Sequence, residues 1–242
     1  MGSGKYGAVS GLIGRMQMLD NISEQLSSIK AHAYKKGVQT FEAQLAEANS
    51  GMASKGVNYT RISNESIDFT PGQLEYTGDP LNVALNGDGF FQVQQADGRF
   101  GYTRKGLFKL NSEGTLIDTN GRQVMSAAGG PITLPDPNVD ISPDGSIWYQ
   151  GEQVARIGVF QFADKSILRR APGSLFLPKD KSQPTPLSDP QLVQRNLESS
   201  NVDMMQTMVR MTSNLRTFES IQKALSVYDS MDSKDADLGL VQ

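Results

Sequence analysis

The chain has 242 residues, a net charge of −3 and 38% hydrophobic residues, enough for a sizeable core in one or two domains and too apolar for a wholly disordered chain. It contains no Cys and a single His, His32, which excludes disulfide frameworks, thiolate metal sites and His-rich centres and leaves one candidate base for a Ser-His-Asp triad. The acidic balance argues against a nucleic-acid partner, and no run approaches the roughly 20 apolar residues of a membrane span, so direct membrane insertion is not expected.

Taken in chain order, the first signal is helical. Val9, Leu12, Met16, Leu19, Ile22, Leu26, Ile29 and Ala33 recur at steps of three and four with no Pro between them, an amphipathic stripe that predicts a helix within residues 1–36. Residues 37–79 carry few apolar side chains after Leu45 and scattered Gly51, Gly56, Pro71, Gly72 and Gly78; they read as an extended connector clamped along other surfaces. From 80 to 178, short β-prone runs alternate with Asn86-Gly87, Asp88-Gly89, Asp97-Gly98, Glu113-Gly114, Asn120-Gly121 and Asp144-Gly145, dipeptides that supply tight hairpin turns. Regular strands without intervening helices indicate a central all-β domain. Residues 179–198, with Pro184, Pro186 and Pro190, read as a polar, stiffened return linker.

Residues 199–242 revert to the helical pattern, with Met205, Met208, Met211, Leu215, Phe218, Ile221, Leu225 and Tyr228 again at steps of three and four. Ser199, Ser200 and Asn201 are N-cap candidates, and Asp203 suits the first turn. The expected fold class is α+β: long N- and C-terminal helices pairing as a coiled-coil-like hairpin, with a central all-β domain. Charges agree, since residues 1–40 hold five Lys/Arg against two Asp/Glu and residues 201–242 hold four against six. The pairing and assembly positions are Leu12, Met16, Leu19, Ile22, Leu26 and Ile29 on the first helix. On the second they are Met205, Met208, Leu215, Phe218, Ile221 and Leu225. Ile13, Met18, Met204, Val209 and Val227 lie off these stripes, as helices covered on several sides by neighbouring copies require, and flexible Met side chains suit contacts that must adapt.

Several shorter patterns point to chemistry and are better read structurally. Gly2-Ser3-Gly4-Lys5 has the tail of a phosphate-binding loop but lacks the first Gly, and Tyr6 replaces the magnesium-binding hydroxyl. Asn58-Tyr59-Thr60 and Asn64-Glu65-Ser66 fit the glycosylation triplet, which arises often by chance. Asp140 and Asp144 read as turn residues rather than an acid/base pair. Trp148 and Tyr149 with Phe160 and Phe162 offer a sugar platform, for which core packing is the simpler account. No catalytic, cofactor-binding or metal site is expected.

The longest motif runs from Asp68-Phe69-Thr70-Pro71-Gly72-Gln73-Leu74 through Gly78-Asp79-Pro80-Leu81 to Gly87-Asp88-Gly89-Phe90-Phe91. With Tyr102-Thr103-Arg104-Lys105-Gly106, Ser200-Asn201-Val202 and Arg216-Thr217-Phe218-Glu219, it resembles the signature of bacterial flagellar rod and hook proteins. Chain length, Gln222-Lys223 and the tail from Asp232 to Gly239 resemble the F-type, proximal-rod branch more than the G-type distal rod. Glu24-Gln25-Leu26-Ser27-Ser28 and Ala33-Tyr34-Lys35 stand where the family commonly has Asn-Asn-Leu-Ala-Asn and Gly-Phe-Lys. Ala33 in place of Gly removes an easy left-handed helix stop, so the first helix is expected to end differently. The resemblance implies a non-enzymatic subunit of the periplasm-spanning rod that self-assembles helically and transmits torque. Its partners would be copies of itself, other rod proteins and the flagellar type III export apparatus, through which it would pass without a cleaved signal peptide. Alternatives are a distal rod or hook-type axial protein, or a secreted carbohydrate-binding or adhesive β module.

Overall fold

The computed structural model describes residues 2–46, 57–179 and 183–239. The chain divides into two compact units, one built from residues 1–27, 37–66 and 203–242 and the other from residues 28–36 and 67–202.

The first unit holds both long helices, α1 (Gly2–Ser27) and α2 (Met204–Gly239), and two strands, β1 (Gly37–Ala46) and β2 (Val57–Ile67), which pair with each other. The connector over 37–79 thus contains a two-stranded ribbon. Arg15 on α1 donates to Asn214 Oδ1 on α2 at 3.1 Å, and Asn214 Nδ2 returns a bond to the Arg15 carbonyl at 3.0 Å. A Cβ on Gly11 would lie 3.9 Å from Ile221 Cδ1. The two helices therefore touch and run in opposite directions. Gln25 Nε2 donates to the Gly37 carbonyl at 2.9 Å, fastening α1 to the start of β1.

Both helices end inside the expected ranges, for local reasons. α1 stops at Ser27 and the chain turns through residues 28–30. Ala33 takes the left-handed conformation even without Gly, at φ 57°. It is buried, and its N–H is held by the Glu198 carbonyl at 2.7 Å. α2 begins at Met204 because Asp203 caps it: Asp203 Oδ1 accepts the Gln206 N–H at 3.0 Å, and the Asp203 carbonyl accepts from Thr207. The sequence candidates Ser199, Ser200 and Asn201 lie before this cap, and Asn201 is used elsewhere.

The second unit is antiparallel β. Its main sheet orders Leu168–Ala171, Leu175–Pro178, Phe100–Thr103, Phe90–Gln94, Gln123–Val124, Leu116–Asp118 and Phe108–Leu110, with Val159–Gln161 also pairing with Phe90–Gln94. Turn chemistry sets these registers. Asn111 Oδ1 accepts the N–H groups of Glu113 and Thr115, and Asp118 Oδ1 those of Asn120 and Arg122, so each polar side chain closes the turn that a following glycine completes. A smaller sheet joins Asp140–Ile141, Ser146–Tyr149 and Glu152–Arg156. The segment expected as a return linker supplies Leu192–Gln194, paired with Val83–Leu85, and Asn196–Glu198, paired with Leu74–Tyr76.

Two apolar clusters fill the unit. One gathers Val83, Leu85, Phe91, Val93, Val124, Ile147 and Ile157. The other is aromatic: Phe69, Phe90, Tyr102, Phe162 and Phe176 meet edge to face, with Tyr102 and Phe162 4.9 Å apart, the geometry aromatic quadrupoles favour.

Candidate functional site

Residues widely separated in the chain converge in the second unit on Glu198. Its carboxylate accepts Lys35 Nζ at 2.5 Å and the Gly72 N–H at 3.0 Å on Oε1, and Arg104 Nε at 2.8 Å on Oε2. The Lys35 and Glu198 side chains are fully buried and that of Arg104 almost so. Lys35 also donates to the Thr70 carbonyl at 2.8 Å, and Arg104 to the carbonyls of Gly89 and Leu85 at 2.9 and 3.3 Å. Two cations thus share one carboxylate, leaving one surplus positive charge. Burial pushes the Lys35 ammonium below its ordinary pKa, against the opposing hydrogen bond and charge of Glu198. Burial acts the other way on Glu198, but the Arg104 charge and the bonds from Arg104 and Lys35 outweigh it and hold the carboxyl below its usual range.

Asn201 extends this node. Its Oδ1 accepts the Lys36 N–H at 2.7 Å, and its Nδ2 donates to the carbonyls of Asp68 and Thr70 at 2.8 and 3.2 Å. Lys36 and Asp68 pair at 3.2 Å. Arg170 stacks 4.3 Å over the Tyr34 ring and donates to the Lys35 carbonyl, a cation–π contact. Backbones approach closely here. A Cβ on Gly72 would fall 2.1 Å from the Ser199 carbonyl oxygen, and one on Gly106 1.6 Å from that of Val83. The segment following α1 and the segment preceding α2 are therefore held side by side by polar groups, of which Lys35, Arg104 and Glu198 are closed off from solvent.

The other motif residues serve the same unit. Leu81, Gly89, Phe90, Phe91 and Tyr102 are buried, and Pro80 is half-buried. Gly78 and Gly87 lie in exposed turns, and Leu74 sits on an exposed strand. Ser200 Oγ accepts the Val202 N–H at 3.3 Å. Arg216 lies exposed on α2.

On the helices, Leu12, Leu19 and Leu26 are half-buried and Ile22 is buried, while Met16 is exposed and Ile29 falls beyond the end of α1. On α2, Phe218, Ile221 and Leu225 are half-buried, whereas Met205, Met208 and Leu215 are exposed. The covered line on α2 runs Thr207, Met211, Asn214, Phe218, Ile221 and Leu225, so the apolar stripe and the covered face share Met211 and then coincide from Phe218 to Leu225, while Tyr228 is exposed. Val9 and Ile13 on α1, and Met204 and Val209 on α2, are exposed as well.

The remaining sequence patterns dissolve in the structure. Gly2 to Lys5 lie inside α1, not in a loop. His32 is half-buried. Asp144 closes a turn by accepting from Ser146, and Asp140 sits on a strand. Phe160 and Phe162 pack against Tyr102 while Tyr149 packs against the other cluster, so the four aromatics form no common platform. The side chains of Asn58 and Asn64 lie outside those described. Among the described residues no cluster of acidic or His side chains is arranged to hold a metal, and no helix is long and apolar enough to cross a membrane.

The family model for the flagellar hook protein FlgE/F/G D1 domain matches residues 84–149, and that for the flagellar basal body rod FlgEFG protein C-terminal region matches residues 193–238. The flagellar basal-body rod protein FlgF of Caulobacter vibrioides is 31% identical over 86% of this chain and 85% of its own. That of Salmonella typhimurium is 34% identical over 71% and 73%. FlgG of Buchnera aphidicola is 28% identical over 93% and 95%. The chain belongs to the flagellar basal-body rod protein family, on its F-type side, and is a structural subunit of the rod.

Proposed function

We propose that this subunit builds the proximal rod by helical self-assembly through its paired terminal helices, which pack coiled-coil-like against those of neighbouring subunits. The observation that carries this reading is the large apolar surface left open on both helices, from Val9, Ile13 and Met16 to Met205, Met208, Val209 and Leu215. Isolated exposed apolar side chains are ordinary, but a concentration of them on two adjoining helices marks an interaction face. The partners are copies of this chain and other rod proteins, placed along the periplasm-spanning rod after passage through the flagellar type III export apparatus. The subunit carries torque and catalyses nothing. The Gly37–Asp79 segment braces adjacent subunits. The test is a strain lacking this chain, with basal bodies imaged to find where growth stops. Arrest inside the rod supports the proximal position; a complete rod ending at the hook junction refutes it.

A further inference from the structure

We propose that Met204, Met205 and Met208 form an oxidation site whose conversion to sulfoxide withdraws the subunit from self-association; the second half of this statement rests on the assembly reading above. The three thioethers fall within about two turns at the start of α2. Met205 is 72% exposed and Met204 and Met208 nearly half so. They open the strip that continues through Val209 and Thr212 to Arg216. No cysteine competes for oxidant anywhere in the sequence, so peroxide chemistry in this chain is methionine chemistry.

The surroundings rank the sulfurs. Met125 is 4% exposed within the β core. Met18 Sδ accepts Arg15 Nη1–H at 3.9 Å, which occupies part of its electron density. The three sulfurs at the start of α2 have neither protection, and of the other described methionines Met16 on α1 and Met231 farther along α2 are as open, at 54% and 55% exposed. In the reaction a sulfur lone pair attacks one oxygen of hydrogen peroxide, the S–O bond forms as the O–O bond breaks, and the departing hydroxide takes up a proton to leave as water. Sulfur is oxidised and peroxide reduced. The product is polar and chiral where the surface was apolar and flexible, and burying that sulfoxide against a second copy requires desolvating a strong acceptor. Once the strip is covered in an assembly the sulfurs are out of reach, so the free subunit is the sensitive form.

The test treats full-length protein with dilute hydrogen peroxide, maps sulfoxides by peptide mass spectrometry, and measures self-association by sedimentation on the same samples. Met205 should oxidise first, with Met16, Met231, Met208 and Met204 close behind and Met18 and Met125 last. Association should weaken about tenfold or more when all three are modified and recover with methionine sulfoxide reductases. On a Met16→Leu background, the further changes Met204→Leu, Met205→Leu and Met208→Leu conserve volume, and that protein should associate normally before and after peroxide. Oxidation of Met125 as fast as Met205 overturns the site. Unchanged association after full modification of the three overturns the withdrawal. Failure of the untreated wild type to associate under any condition overturns the assembly reading and the withdrawal with it, while the oxidation map still decides the site.

Discussion

Replacing Glu198 with Gln removes the one negative charge that two buried cations share, with little change of volume. Gln keeps an oxygen for Lys35 Nζ and the Gly72 N–H, now at 2.5 and 3.0 Å, but turns an amide NH2 toward Arg104 Nε, now bonded at 2.8 Å. Removing one partner of a buried ion pair costs about 3–5 kcal/mol because the other charge stays behind, and here two stay behind. Against a total stability of about 5–15 kcal/mol for a domain, that is a large fraction. With a urea slope near 2 kcal/mol per molar, the midpoint should fall by roughly 1.5–2.5 M. Trp148 is the single tryptophan and lies in the β unit, so its fluorescence reports this transition, while far-ultraviolet dichroism follows the helices. A midpoint shift below about 0.5 M at unchanged slope would refute the claim that the carboxylate holds the node.

The other expectations rest on the same geometry. Lys35→Met removes the surplus charge and leaves Glu198 paired with Arg104, so it should cost less than the roughly 3–5 kcal/mol of a buried partner left unpaired. Arg104→Met should cost more, because the Gly89 and Leu85 carbonyls lose their donor; urea midpoints rank the two. The Glu198 carboxyl sits below its usual 4.5, so its contribution is full above that value and is lost as pH falls through the lower folded value. Lys35 is depressed by burial, so the unfolded chain holds its proton longer and stability from this group rises as pH climbs toward 10.5; wild type should gain on Lys35→Met over that range in midpoints measured against pH. Gly106→Ala should cost about 4 kcal/mol or more, because its Cβ would strike the Val83 carbonyl oxygen; a thermal melt with near wild-type midpoint would contradict this. At Ala33, left-handed and buried, Val should cost about 2 kcal/mol or more, while Gly should stay within about 1 kcal/mol of wild type, as compared by urea midpoint.

Periodicity and turn chemistry made much of this fold legible. Asp97-Gly98, Asn120-Gly121 and Asp144-Gly145 mark real hairpins, whereas Asn86-Gly87 and Asp88-Gly89 lie between strands that pair elsewhere, and the step-three-and-four stripes mark both helices. What the stripes could not show is the face of α2 turned to α1 near its start. There the covered residues are Thr207 and Asn214, polar side chains that an apolar count passes over, and Asn214 is held by Arg15. Their seven-residue spacing, in phase with Met211, Phe218 and Ile221, is the signal that was present. The node was legible only as motif pieces. Lys35, Gly72, Arg104, Glu198 and Asn201 lie far apart in the chain, and charge pairing across such distances leaves no local pattern. The glycines at 72 and 106 could be recognised as family positions, but the carbonyl each one admits is visible only in three dimensions.

The claim that assembly belongs to the helices and folding to the β unit is tested most directly by the double variant Met205→Asp, Leu215→Asp. Both side chains are exposed, so the urea midpoint read by Trp148 should stay within about 0.5 kcal/mol of wild type while the protein is lost from purified basal bodies and motility fails. Normal incorporation of this folded variant into the rod would contradict the account.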